Sequence, residues 1–352
     1  VRAPSAPAAL LVALLGAGSA SPASIERQVA MMGTTLTVTV EADDRAAALA
    51  ASETAVRALA ASERRLSTWT ADSELARLNR APAGTAVDLS AELAAELAAA
   101  RRCHAATGGA FDPGIGALVE AWGLRRGGRL PAPAELEAAR AASGFAALSL
   151  DGTPGEERAV RLREGLVVEE GAFGKGAGLD AALAALRREG RARRALLDLG
   201  GQVAVYGAGA WSVRLADPRA RQQPVLEWTV ESGSLSTSGN GERGLVVAGE
   251  RLGHLLDPRT GRPARDFGSL TVWAADGLSA DCLSTGLFVL GPEAALAWAL
   301  AHPPVEAVAL EPRPGGLRAR ATPGLRGHLR PLADGLELEF VKPPVAVAAG
   351  TR

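Results

Sequence analysis

Asp281 and Thr285 stand four residues apart in a run that reads as helix, so their side chains share one face and can hold one hard cation or one polar ligand together. The same spacing also suits a plainer arrangement, in which Asp281 caps the helix start and Thr285 back-bonds to its own helix. Upstream, His254 precedes the sharp polar turn Asp257-Pro-Arg-Thr-Gly261. An imidazole titrates near neutrality, so His254 can take a proton from an attacking hydroxyl, or it can be a hydrogen-bonded residue at a strand end. A third segment, Glu170-Gly-Ala-Phe-Gly-Lys-Gly176, lacks both the GxxxxGK[ST] and the GxGxxG spacing, so neither nucleotide fold follows from it. Its glycines expose backbone amides and carbonyls, Lys175 supplies a mobile positive charge, and the helix that follows can turn its amino end to an anion. A structural loop with a solvent-facing lysine is the competing reading. A pyrophosphate with magnesium accounts for acidic and basic groups recurring together: the metal on Asp281 and Thr285 would bridge phosphate oxygens while His254 removes a proton.

These groups need a scaffold. Thr34 to Val40 alternates threonine with apolar residues and reads as a strand; Ala46 to Arg65 reads as a strong helix. A second helix runs from near Ser90 to before Gly108-Gly109, and Phe111 to Leu118 reads as an ordered loop. Ala134 to Ala142 is a short helix, Arg161 to Val168 a strand, and Gly178 to Arg188 a helix, which leaves Glu169 to Gly176 between them. Leu196 to Leu199, Gln202 to Tyr206, Trp211 to Leu215, Ser269 to Ala274, Ala307 to Leu310 and Leu336 to Phe340 read as strands. Ser232 to Gly241 reads as a turn-rich loop and Pro292 to Leu300 as a helix opened by its proline. Strands and helices mix irregularly, which predicts an α+β body rather than a doubly wound sheet.

The 352 residues, 47% apolar and 22% charged, suffice for a large folded core. A formal net charge of -1 gives no electrostatic case for nucleic acid. Of the 38 basic residues only Lys175 and Lys342 are lysine, which singles out the glycine-flanked Lys175. The apolar run Ala8 to Ala17 follows Arg2 and ends in Gly18-Ser19-Ala20, the outline of a signal peptide over residues 1–23 with a cut near Ala20 or Ala23. Cys103 and Cys282 have no CxxC spacing and are expected to be free or structural.

The chain resembles the ApbE family of flavin transferases in successive blocks from about residue 30 to about residue 300. The blocks are Met32-Gly-Thr34; Leu66-Ser-Thr-Trp69 with Asp72-Ser-Glu-Leu75 and Leu78-Asn79; Gly109 to Gly116 with Trp122-Gly123; Gly174-Lys-Gly176 with Asp180; Asp198-Leu-Gly-Gly201; Thr237-Ser-Gly239 with Glu242-Arg243; His254 to Gly261; and Asp281 to Thr285. The resemblance implies magnesium-dependent transfer of the FMN part of FAD to a threonine hydroxyl of an acceptor protein, with release of AMP. It implies an ApbE-like mixed body over residues 24–340, with the flavin cleft between its lobes and a tail at 341–352. Carried over, Met32, Trp69, Phe111, Asp112, Glu169, Lys175 and the backbone at Leu255 contact FAD. Asp281, Thr285 and the Ala172 carbonyl ligate magnesium, and His254 activates the threonine. Aromatic contacts suit a large flat flavin. Where the family carries Asp-Leu-Gly-Gly, this chain has Glu169-Glu170-Gly171-Ala172: the charge is kept one methylene further out, and a carboxylate replaces an apolar residue. The implied acceptor is an exported or membrane redox subunit, and the implied location is the periplasm or the outer face of the cytoplasmic membrane. FAD hydrolysis to FMN and AMP, or flavin binding without turnover, are the rival readings.

Overall fold

A computed structural model describes residues 23–241, 245–247 and 250–342. The expected leader up to residue 22, the Glu242-Arg243 pair and the tail from 343 lie outside the described residues.

Nine strands form one sheet: β1 (Ala23–Met31), β2 (Thr34–Ala42), β3 (Ala192–Leu199), β4 (Gln202–Gly207), β5 (Gly233–Gly239), β6 (Ser269–Ala274), β7 (Glu306–Arg313), β8 (Gly316–Ala321) and β9 (Leu336–Phe340). Their order in space is their order in the chain, and every neighbouring pair is antiparallel except β8 with β9. β1 and β2 are joined through Met32 and Gly33, both at positive φ (49° and 71°), as a two-residue hairpin turn requires.

Between β2 and β3 the chain makes α1 (Arg45–Leu66), α2 (Glu74–Arg80), α3 (Ala91–Ala106), α4 (Gly116–Ala121), α5 (Pro133–Ala142) and α6 (Gly174–Glu189). A small sheet of Ala86–Asp88, Leu148–Asp151 and Arg158–Arg161 completes this helical lobe. α7 (Gly277–Leu290) and α8 (Pro292–Ala301) follow β6. α1 starts where the Asp44 side chain accepts from Ala47 N, and it buries Ala48, Ala51, Ala55, Leu59, Ser62 and Leu66 at helical spacing. That face packs with α6 against β1 to β3, in a core holding Leu36, Val38, Leu179 and Leu197. The opposite face of the sheet meets a hairpin of Trp211–Asp217 and Ala220–Val230 through Val203, Leu235, Val308 and Trp228.

α7 is buried nearly all round. Leu283, Leu287 and Phe288 pack on Leu270 and Val272 of the sheet, while Leu278 and Cys282 join the core of the helical lobe with Phe111, Phe145 and Phe173. A helix enclosed on every side has no reason to carry a charge unless something uses it, which makes Asp281, 2% exposed, its informative residue. Cys103 of α3 and Cys282 of α7 are free and buried in the same core.

The α+β expectation holds, with three local corrections. Ser232 to Gly241, expected as a loop, contains the central strand β5; its alternating serines face inward and are paired there, so the usual apolar alternation is missing. The strand expected over Arg161 to Val168 lies at Arg158–Arg161 and ends before a turn at Gly165 (φ 77°). α6 begins at Gly174, so Lys175 sits in its first turn and not in a preceding loop.

Candidate functional site

The site is built where α6 crosses α7. A Cβ on Gly176 would lie 2.1 Å from Gly277 O, and one on Gly277 would lie 2.7 Å from Gly176 O. The two helices therefore meet backbone to backbone, a separation only glycine allows. Asp180 secures the crossing from α6: its carboxylate accepts from Gly277 N (2.6 Å) and Leu278 N (2.9 Å) at the start of α7. Burial pushes its pKa up to about 6 despite those two bonds, which favour the charged form. The N-cap of α7 is Asp276, bonded to Ser279 N at 2.8 Å, which leaves Asp281 free of the capping role.

This contact brings Lys175 Nζ to 3.2 Å from Asp281 Oδ1 and Gly176 N to 3.1 Å from Oδ2. β5 supplies the opposite wall. Ser236 Oγ lies 3.4 Å from Asp281 Oδ1 and 3.0 Å from Ser284 Oγ, and Ser238 Oγ lies 3.0 Å from Ser284 Oγ and 3.5 Å from Thr285 Oγ1. Asp281 and Thr285 thus share the face that meets β5. A carboxylate and a hydroxyl one turn apart form a hard oxygen set with no thiolate or imidazole, which fits magnesium better than zinc. The Ala172 carbonyl belongs to the single turn Glu170–Ala172 that leads into α6 through the wholly buried Phe173.

Beyond α6 stands a polar cluster. Arg125 donates to Glu169 and to the Thr68 hydroxyl and carbonyl, and its guanidinium lies 4.6 Å from the centre of the Trp69 ring, which is 69% exposed. An exposed indole backed by a cation offers a flat apolar face to a ring system. Glu170 accepts from the Thr68 hydroxyl, so the carboxylate at this unusual position ties the Trp69 loop to the approach to α6. Burial raises the Glu169 pKa above the ordinary carboxylate value, and Arg125 opposes the shift. Asn79 fixes this strand-like approach with both amide atoms, Nδ2 to Val168 O (2.9 Å) and Oδ1 from Val168 N (2.8 Å).

The remaining predicted residues fall into two groups. Met32 donates its N–H to Glu63 (2.8 Å), and its side chain lies against Gly174 and Gly178, beside Lys175. Leu255, half-buried, gives its carbonyl to Ala264 N (2.8 Å). His254 precedes it on a segment pinned to α4 and α5: Leu256 enters their core and Trp122 Nε1 donates to Gly261 O (2.7 Å). Phe111 and Asp112 turn inward instead. The Phe111 ring is fully buried, and its backbone is pressed on Gly286, next to Thr285. Asp112 accepts from Gly114 N (2.7 Å) and Phe145 N (2.9 Å) and faces His104 Nδ1 at 3.5 Å, so its carboxylate braces the loop from within. Any ligand contact at these two positions falls to their backbone.

Sequence reasoning missed Arg125, to which it gave no role, and the serines of β5. A period-two pattern, Ser234, Ser236, Ser238, was the available signal. A separate cavity of about 570 Å³ lies on the other face of the sheet under the Trp211–Val230 hairpin, lined by Asp198, Arg214, Thr237 and Thr271, and includes none of these residues.

The model of the ApbE family matches residues 32–309. A Salmonella typhimurium protein named FAD:protein FMN transferase is 32% identical over 286 residues, 79% of this chain and 81% of its own length. A Treponema pallidum protein of the same name is 33% identical over 287 residues, 76% and 78% respectively. Among solved structures, the ApbE protein of Thermotoga maritima superposes with a TM-score of 0.75 at 28% identity, covering 81% of this chain and 94% of that one. The flavin transferase ApbE of Vibrio cholerae, at 24% identity and a TM-score of 0.74 over 88% of this chain and all of that one, matches in fold. The chain belongs to the ApbE family.

Proposed function

We propose that the protein is an FAD:protein FMN transferase that moves the FMN moiety of FAD onto a threonine hydroxyl of an acceptor protein, with magnesium and with release of AMP. The observation that carries this reading is the buried Asp281 carboxylate, with Lys175 at 3.2 Å and Thr285 one helical turn away, in a chain whose relatives bear that name. Asp281, Thr285 and the Ala172 carbonyl would hold the magnesium. When bound, the ion offsets the charge that builds on the phosphate oxygens as the anhydride breaks.

The chain's own residues do the rest. Lys175 and the open backbone at the start of α6 bind the pyrophosphate anion. Trp69, with Arg125 behind it, presents a stacking face to a ring of FAD. His254 takes the proton of the threonine hydroxyl at an imidazole nitrogen. The new bond joins threonine Oγ to the phosphorus on the riboflavin side, the anhydride P–O bond breaks, and AMP departs with the bonding pair. The acceptor domain is that of an exported or membrane redox subunit, and the leader outline at residues 1–23 supports action in the periplasm or at the outer face of the cytoplasmic membrane.

The test is mass spectrometry of a threonine-bearing acceptor domain after incubation with the protein, FAD and magnesium, with AMP quantified and EDTA as control. An FMN-sized mass increase on threonine, matched by AMP and abolished by EDTA, is expected. AMP without modification would replace this reading with FAD hydrolysis, and neither product would leave a flavin-binding role.

A further inference from the structure

Along β5 and one step beyond it, Ser234, Ser236, Ser238 and Asn240 are 1%, 2%, 8% and 3% exposed. The three serines are all engaged, Ser234 with Val203 O, Ser236 with Asp281 and Ser284, and Ser238 with Ser284 and Thr285. Asn240 differs. Among the described residues neither its Nδ2 nor its Oδ1 has a hydrogen-bond partner. Buried amides are nearly always paired, and one left wholly open at the end of a paired polar row calls for a ligand to complete it.

Its neighbours say where that ligand passes. The carboxamide is seated on Gly253, where a Cβ would come within 2.2 Å of Oδ1 and 2.4 Å of Nδ2. The next residue is His254. On the strand side, Ser238 two positions back reaches Thr285. Asn240 therefore adjoins the segment that carries the proposed base, at the end of the strand that meets the proposed metal ligands.

A primary amide offers donors and an acceptor side by side. A pyrophosphate presents acceptors only and would leave Oδ1 orphaned. A peptide backbone presents both complements. A threonine hydroxyl is two bonds from its own Cα, so a polypeptide whose hydroxyl meets His254 must carry its N–H and C=O past the residues beside it. We infer that Asn240 grips the backbone of the acceptor polypeptide next to the target threonine, a positioning and specificity role that rests on the transferase reading above. Gly253 is what allows the carboxamide to sit this close to the histidine.

The test compares wild type, Asn240→Ala and the near-isosteric, uncharged Asn240→Leu, which keeps the shape but loses the donors and the acceptor. Three quantities are measured: FAD affinity by flavin fluorescence, AMP release without acceptor, and KM and kcat for a threonine-bearing acceptor domain. Both variants should raise the acceptor KM by about tenfold or more, with FAD affinity and acceptor-free AMP release held within about twofold, the signature of a lost polar contact to one substrate. An unchanged acceptor KM would overturn the inference, as would a parallel loss of FAD affinity, which would assign the amide to the flavin. If Asn240→Ala does not fold, Asn240→Leu carries the same comparison. Wild type that leaves the acceptor unmodified would instead refute the transferase reading itself.

Discussion

Gly176→Ala should damage the site more than any other single methyl group added to the glycine-rich segment. The new Cβ would stand 2.1 Å from Gly277 O, 2.5 Å from Gly277 C and 2.7 Å from Leu278 Cα, all backbone atoms that no rotamer change can remove. To open the shortest of these to 3.0 Å, α6 and α7 must separate by about 0.9 Å. Overpacking of this kind costs about 1–3 kcal/mol of stability. The separation also stretches the contacts of Lys175 and Gly176 N with Asp281, and a misplacement of about 1 Å in a reacting assembly costs on the order of 100-fold in rate. The assay is AMP release and acceptor modification across a magnesium titration, with thermal melts in parallel. Gly171→Ala is the control, because a Cβ there meets nothing within 4 Å. Transfer within about threefold of wild type and an unshifted melt for Gly176→Ala would refute the argument that the bare crossing sets the site's geometry.

Asp281→Asn should lower transfer by on the order of 100-fold or more and shift the magnesium requirement upward, read from initial rates over metal concentration. Arg125→Ala should raise the KM for FAD about tenfold, since Trp69, Thr68 and Glu169 all lose the guanidinium that organises them; steady-state kinetics against FAD checks this. It should also let burial push the Glu169 carboxyl further up, because Arg125 is what opposes that shift. Asp180 gives a pH signature: its folded pKa is raised from 3.8 to about 6, so between those values the folded state holds a proton that the unfolded chain has lost. Its contribution is therefore fully present below about pH 4 and is lost as pH rises to about 6. Chemical denaturation at pH 4 and pH 6.5 should show a smaller drop in stability for Asp180→Asn than for wild type, and equal drops would discount the shift.

What the sequence made legible follows from where the signal was local. β6 and β9 were read with their observed bounds, because each is a short apolar or alternating run between clear breaks. α1 and α3 were legible from helical spacing between polar caps. Asp281 and Thr285 were legible because their spacing puts them on one helix face, and Lys175 because it is one of two lysines among arginines and stands between glycines. β5 was not, since its inward residues are serines, of which Ser236 and Ser238 are satisfied by α7, a partner 45 or more positions away. Arg125 was hidden for a similar reason. Its partners Thr68 and Glu169 lie 57 and 44 positions off, and nothing beside it in the chain distinguishes it from the exposed Arg126. The inward turn of Phe111 and Asp112 could not be read either, because it is decided by Gly286 and Phe145 from other elements.

The sheet whose strands lie side by side in chain order has a consequence for how the protein is born. The tight hairpins β1–β2, β3–β4 and β7–β8 close between near neighbours in sequence, whereas β2 and β3 are parted by the whole helical lobe and Lys175 and Asp281 meet only across 106 positions, once that lobe has docked and α7 lies over β5. The site is thus among the last features to assemble. A ligand that needs both residues binds no half-made chain, so at 100 times its Kd it adds about 2.7 kcal/mol to the finished protein alone. Substrate and metal would then act as arbiters of completion, holding molecules that have closed the crossing and leaving the others to unfold.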